Sequence, residues 1–143
     1  MKFDTRIIGF ITAFENLTQV PVKDCFFTVD NELIFVVDSF RLGKVIGKNG
    51  ETIKKIALRM KQIIWVIGYD SDVLKFIENI LYPLKGYVIS KEDNKVIISA
   101  DDVKLKGKIY GRDRSNLKFI NDVVKRFFNL VEVVVNTHAA KIQ

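Results

Sequence analysis

Gly47-Lys48-Asn49-Gly50 places two glycines either side of a lysine and an asparagine, directly ahead of Glu51, Thr52, Ile53, Ile56, Ala57 and Met60. The spacing of those last residues predicts a helix that buries one face. Such an arrangement can hold an anionic strand. Glycine has no Cβ, so a phosphate backbone can approach Gly47 and Gly50 at contact distance, while the N–H groups of the helix's first turn present partial positive charge. Lys48 adds a full charge. Arg41, Lys44, Lys54 and Lys55 are the cations spaced to flank the loop, and Ile46, Ile53 and Phe35 are the apolar candidates for a groove beside it. A lysine-asparagine-glycine stretch also makes a good turn with nothing bound, so the surrounding elements decide the reading.

Other chemistries find no footing. From Gly43 to Asn49 there are three residues between the glycines instead of four, and an asparagine stands where a magnesium-binding Ser or Thr is needed, so this is not a nucleotide-hydrolysing P-loop. His138 is the only histidine and sits in the polar stretch NTHAAKIQ, with no cysteine or carboxylate at ligand spacing. Neither a metal site, a cofactor, a small-molecule substrate nor an enzyme is expected. The single cysteine, Cys25, lies in the apolar run CFFTV and is expected to be a small core residue. Trp65, inside the apolar run IIWVI, is expected to be core as well.

Composition agrees with a folded, cation-rich protein. The 143 residues are 48% hydrophobic and 28% charged, with a net charge of +6 and a pI near 9.4. A polyanion is the default partner for such a balance. The longest apolar runs fall well short of a membrane span, and the charges in the first ten residues are unlike a signal peptide, so a cytoplasmic location away from membranes is expected.

The chain also repeats itself. Gly43, Lys44, Gly47, Ile53 and Ile56 pair with Gly107, Lys108, Gly111, Leu117 and Ile120 at an offset of 64, and DNELIFVVDSF from Asp30 matches DNKVIISADDV from Asp93 at an offset of 63. One residue is therefore gained between strand and loop. Each copy opens with a helix: Ile7, Ile11, Phe14 and Leu17 share one face behind Asp4 as cap, and Val73, Phe76, Ile77, Ile80 and Leu81 share another behind Ser71. Two β-rich runs follow, joined at Asp30-Asn31 and at Asp93-Asn94, residues that tolerate a tight hairpin. After the loop come a helix, from Gly50 to about Met60 or from Arg114 to about Phe128, and a closing strand, QIIWVIG or LVEVVVN. The order is α-β-β-α-α-β, twice.

With VIGKNGETIKKI set between its central helices, that order resembles a KH domain of the second, prokaryotic type, and two such copies in one short chain resemble the archaeal NusA-like transcription factors. The resemblance implies an α+β fold of two tandem KH domains, each with a three-stranded sheet packed by helices. It places the first at 1–69 and the second at 70–137, with a polar tail at 138–143. It further implies a single-stranded RNA-binding protein that holds about four unpaired nucleotides across the loop and acts on transcription elongation or termination, with RNA polymerase as a partner; a ribosome-associated or RNA-processing adaptor is the alternative. The second loop departs from the pattern. It reads Gly111-Arg112-Asp113-Arg114, so the second glycine is lost and close backbone approach is in doubt. Lys108, Arg112 and Arg114 are then expected to hold phosphate by charge, since guanidinium binds phosphate bidentately.

Overall fold

A computed structural model describes residues 5–129 and 131–136. Asp4, Leu130 and the 138–143 tail with His138 lie outside the described residues. The chain divides into two compact units, Met1–Asp70 and Ser71–Gln143.

In the first unit, α1 (Thr5–Thr18) is followed by β1 (Asp24–Phe27) and β2 (Leu33–Asp38), which pair antiparallel, with Asn31 in the left-handed region at φ 64 where the chain reverses. A 3-10 turn (Ser39–Arg41), α2 (Leu42–Ile46) and α3 (Glu51–Met60) lead to β3 (Ile64–Tyr69), which returns parallel to β2 and completes the order β1-β2-β3. The central strand is apolar from Leu33 to Val37 and buried throughout. Its Leu33, Phe35 and Val37 share one face and join Ile7, Phe14, Val20, Cys25, Val45, Ile56 and Met60 in a single core.

Three expectations need correction. Phe35 is fully buried and stacks on Phe14 with ring centroids 4.1 Å apart, so it lines the core and no surface groove. Trp65 is 55% exposed and not core: strand alternation puts it on the face opposite Ile64 and Val66, where its indole N–H donates to Glu32 Oε1. Leu17 is exposed and Thr18 takes its place on the buried face. The Thr18 hydroxyl donates to the Phe14 carbonyl at 2.8 Å and accepts from Val20 N–H at 3.1 Å, so its burial leaves no polar atom unsatisfied.

The second unit repeats the order with α4 (Val73–Leu81), β4 (Val88–Glu92), β5 (Lys95–Ser99), α5 (Val103–Tyr110), α6 (Ser115–Lys125) and β6 (Glu132–Asn136). Here β4 and β5 pair antiparallel across Asp93-Asn94, and β6 runs parallel to β5. The cap of α4 is Asp72 and not Ser71: its carboxylate accepts from Leu74 N–H at 2.9 Å. Helix α6 stops at Lys125, short of the expected Phe128, because Phe127 and Phe128 turn their rings onto Phe76, at 5.4 and 5.8 Å between centroids. Asn121 ties α6 to β6 by accepting from Val133 N–H at 2.8 Å and donating to the Val133 carbonyl at 3.0 Å. The register of the strand that closes this unit is thus fixed by a side chain of the helix before it.

Candidate nucleic-acid interface

Helix α2 stops because Gly47 takes φ 75, ψ 176, a conformation essentially confined to glycine. Its N–H still closes the helix on the Gly43 carbonyl at 2.9 Å. A Cβ at Gly47 would lie 2.2 Å from Thr52 Oγ1 and 3.0 Å from Thr52 N, so packing within the unit demands this glycine. The chain then turns through Asn49 (φ 55, ψ 27) and Gly50 (φ 73, ψ 15) into α3. A Cβ at Gly50 would meet only Lys54 Cε, at 3.9 Å. Space is not what this second glycine provides to the fold.

No side chain caps α3, whereas α4 and α5 are capped by Asp72 and Asp102. The start of α3 thus has no side-chain acceptor, and its turn is closed by backbone alone, Gly50 N–H to the Gly47 carbonyl and Glu51 N–H to the Lys48 carbonyl, while the helix dipole favours an anion there. Glu51 in that turn opposes the field, and Lys48, exposed in the loop itself, counters it. Lys54 comes to the site as well, its stem running beside Gly50. Lys44, Lys48 and Lys54 form no ion pair with any described residue. Ile46 is 37% exposed at the end of α2, while Ile53 is half-buried against the core. Arg41 lies at the other end of α2, its guanidinium 5.1 Å from the centre of the Phe40 ring.

The second loop keeps the backbone of the first without its second glycine. Gly111 (φ 72, ψ 175), Asp113 (φ 54, ψ 32) and Arg114 (φ 63, ψ 20) match Gly47, Asn49 and Gly50 to within about 10°. The shape of the loop does not require the second glycine: Arg114 takes the left-handed conformation, at roughly 1 kcal/mol over glycine, and puts a side chain where the first loop has only a hydrogen. A Cβ at Gly111 would lie 2.7 Å from Asn116 N, and Asn116 itself donates to the carbonyls of Lys108 (3.3 Å) and Ile109 (3.0 Å). Reading the loop alone misses Asn116; its signal is its place at the repeat position of Thr52. Lys108, Arg112, Asp113 and Arg114 are exposed, and Arg114 rests its guanidinium 5.0 Å from the Tyr110 ring centre, Tyr110 standing where the first unit has Ile46. Helix α6 also starts without a side-chain cap and without an acid in its first turn.

Comparison with known proteins follows the first loop closely. The family model of the KH domain matches residues 11–106, which include Gly47 to Gly50 and stop before Gly111. Probable transcription termination protein NusA of Thermoplasma acidophilum is 27% identical over 138 residues, covering 92% of this chain and 93% of that protein. Proteins of the same name are 29% identical in Methanocaldococcus jannaschii, over 94% of this chain and 75% of that one, and 30% identical in Methanococcus vannielii, over 94% and 79%. The crystal structure of APE1850 superposes with a TM-score of 0.71 at 24% identity, over 94% of this chain and all of that one, a likeness of fold. Helix-loop-helix geometry, family match and relatives agree: the chain belongs to the KH domain family and, within it, to the archaeal NusA-like proteins.

Proposed function

We propose that this chain is a cytoplasmic, single-stranded RNA-binding transcription factor of the NusA type, built of two tandem type II KH domains, that holds nascent RNA during elongation or termination and is not an enzyme. The observation that carries the reading is the uncapped start of α3 behind the bare turn from Gly47 to Gly50, with Lys48 in the turn, Lys54 beside Gly50 and Lys44 on the helix before it, none of them paired with a described residue. A phosphate would supply what is missing there: a counter-charge for the positive end of α3 and for cations that pair with no described residue. Relatives named as transcription termination proteins favour transcription over a ribosomal role, and RNA polymerase is the protein partner proposed. Co-purification from cells tests that part: recovery with RNA polymerase supports it, and recovery with ribosomal subunits alone overturns it.

In the second unit, RNA is proposed to meet the Lys108, Arg112 and Arg114 side chains around a loop whose backbone has the shape of the first. Replacing Arg112 and Arg114 by Ala is expected to weaken binding to an RNA of about eight nucleotides or more, and to lower the slope of log affinity against log salt by about 1.4 if two phosphates are released. A four-nucleotide RNA, satisfied by the first loop, should bind as before. Arg114→Gly sharpens the test because its two effects have opposite signs. It relieves the left-handed strain and should raise stability by roughly 1 kcal/mol, while long RNA binds less tightly. Unchanged binding of long RNA by both variants would reduce the second unit to a structural brace.

A further inference from the structure

Phe40 is 78% exposed, whereas Phe14 and Phe35 are fully buried in the first unit's core and Phe10 and Phe27 pack against it. Its position follows a pattern. Through the 3-10 turn and α2, Leu42 and Val45 point into the core, and Phe40, Gly43 and Lys44 lie at helical spacing on the outward side. Gly43 is a helix residue with nothing within 4 Å of where a Cβ would stand, so the fold itself has no need of a glycine there. Only Gly43 and the flexible side chain of Lys44 thus lie between an exposed ring at one end of α2 and the turn from Gly47 to Gly50 at the other, seven residues and about 10 Å away at a rise of 1.5 Å per residue.

Arg41 holds its guanidinium 5.1 Å from the ring centre, so a cation already attends Phe40 while most of the ring stays open to solvent. An aromatic ring backed by arginine is the arrangement on which an unpaired base stacks, with the guanidinium adding cation-π attraction and reach toward a phosphate. The second unit shows the outline without the ring: Val103, 81% exposed, stands at the repeat position of Phe40, and Gly107 again has empty space at its Cβ.

We infer that Phe40, backed by Arg41, is a base-stacking platform for single-stranded RNA, receiving a nucleotide adjacent to those held at Gly47 to Gly50 as the strand passes over Gly43. The inference rests on the RNA-binding reading of the first loop. It makes the site of the first unit longer than the loop, and insensitive to base identity at the stacked position, because every base has a π-face.

Fluorescence anisotropy with the full chain and labelled single-stranded RNAs, each carrying one abasic nucleotide at a different position, tests it. In the parent, one abasic position outside the loop-held nucleotides should weaken binding about ten-fold. Phe40→Ala should cause the same loss with intact RNA, abolish the penalty of that abasic position and leave the salt slope unchanged. Phe40→Tyr should restore both affinity and abasic profile. Val29→Ala, at a hairpin tip where the side chain is 97% exposed, is the control for loss of an exposed apolar group and should bind like the parent. If Phe40→Ala binds every RNA like the parent, the platform does not exist and the ring belongs to some other partner. A Phe40→Ala variant that lowers the salt slope also overturns it, since the ring would then be acting on the phosphates held by the loop. If the parent binds no single-stranded RNA, the reading of the first loop fails instead.

Discussion

Replacing Lys48 and Asn49 together by Asp is expected to lower single-stranded RNA affinity at least ten-fold, about 1.4 kcal/mol, with almost no change in melting temperature. Both side chains are exposed and neither holds the turn together: the turn closes through Gly47 N–H to the Gly43 carbonyl and Gly50 N–H to the Gly47 carbonyl. Asn49 occupies the left-handed region at φ 55, ψ 27, and the second loop already carries an aspartate there, Asp113 at φ 54, ψ 32. The backbone therefore tolerates the substitution. What changes is charge, since a cation is lost and two anions are set before the uncapped first turn of α3, where the helix dipole favours a phosphate. The salt slope should fall by about 0.7 for each phosphate no longer held. Full RNA affinity in the double variant, with an unchanged slope, would reduce the segment to a turn.

The two glycines of that turn should fail in opposite ways. Gly47→Ala puts a methyl 2.2 Å from Thr52 Oγ1 and 3.0 Å from Thr52 N, at φ 75, ψ 176, and is expected to cost about 3 kcal/mol or more. Melting temperature should drop by roughly 10 °C. Gly50→Ala meets nothing closer than Lys54 Cε at 3.9 Å, so its cost is the left-handed backbone alone, about 1 kcal/mol. Its methyl nevertheless stands where an RNA backbone would come closest, and binding should weaken while the protein remains folded. Differential scanning calorimetry and anisotropy on the same two samples separate the effects. A Gly47→Ala protein as stable as the parent would contradict the packing described for Thr52, and a Gly50→Ala protein with parental affinity would contradict close backbone approach.

The order of elements was legible because the sequence states it twice, so that an amphipathic helix read weakly in one copy was supported by its partner 64 residues away. Strand faces were harder. Leu33 to Val37 is unbroken apolar sequence, and without alternation nothing marks Phe35 as the residue that meets Phe14 or Trp65, on the neighbouring strand, as the one that looks outward. Helix ends moved by small steps for identifiable reasons: Asp72 outcompetes Ser71 as a cap by accepting from Leu74 N–H, and Phe127 and Phe128 gain more from Phe76 than from a longer α6. At the site, glycine and charge were readable as residue types, and the structure brings Lys48 and Lys54 to one loop with Lys44 on the helix before it. The left-handed Arg114 was not readable, because the loop's shape is imposed from outside its four residues. Asn116, just beyond the loop, grips the carbonyls of Lys108 and Ile109 and leaves Gly111 no room for a side chain.

Amide chemical-shift mapping in the full 16.4 kDa chain during titration with a single-stranded RNA tests the central claim most directly, because it reports which backbone N–H groups meet the ligand. The account predicts the largest shifts at Gly47, Lys48, Asn49 and Gly50 and at the first-turn amides of α3, Glu51 and Thr52, with smaller ones at Gly43 and Phe40 and little change at the capped start of α4. Saturable binding that leaves the amides from Gly47 to Thr52 unmoved would contradict it.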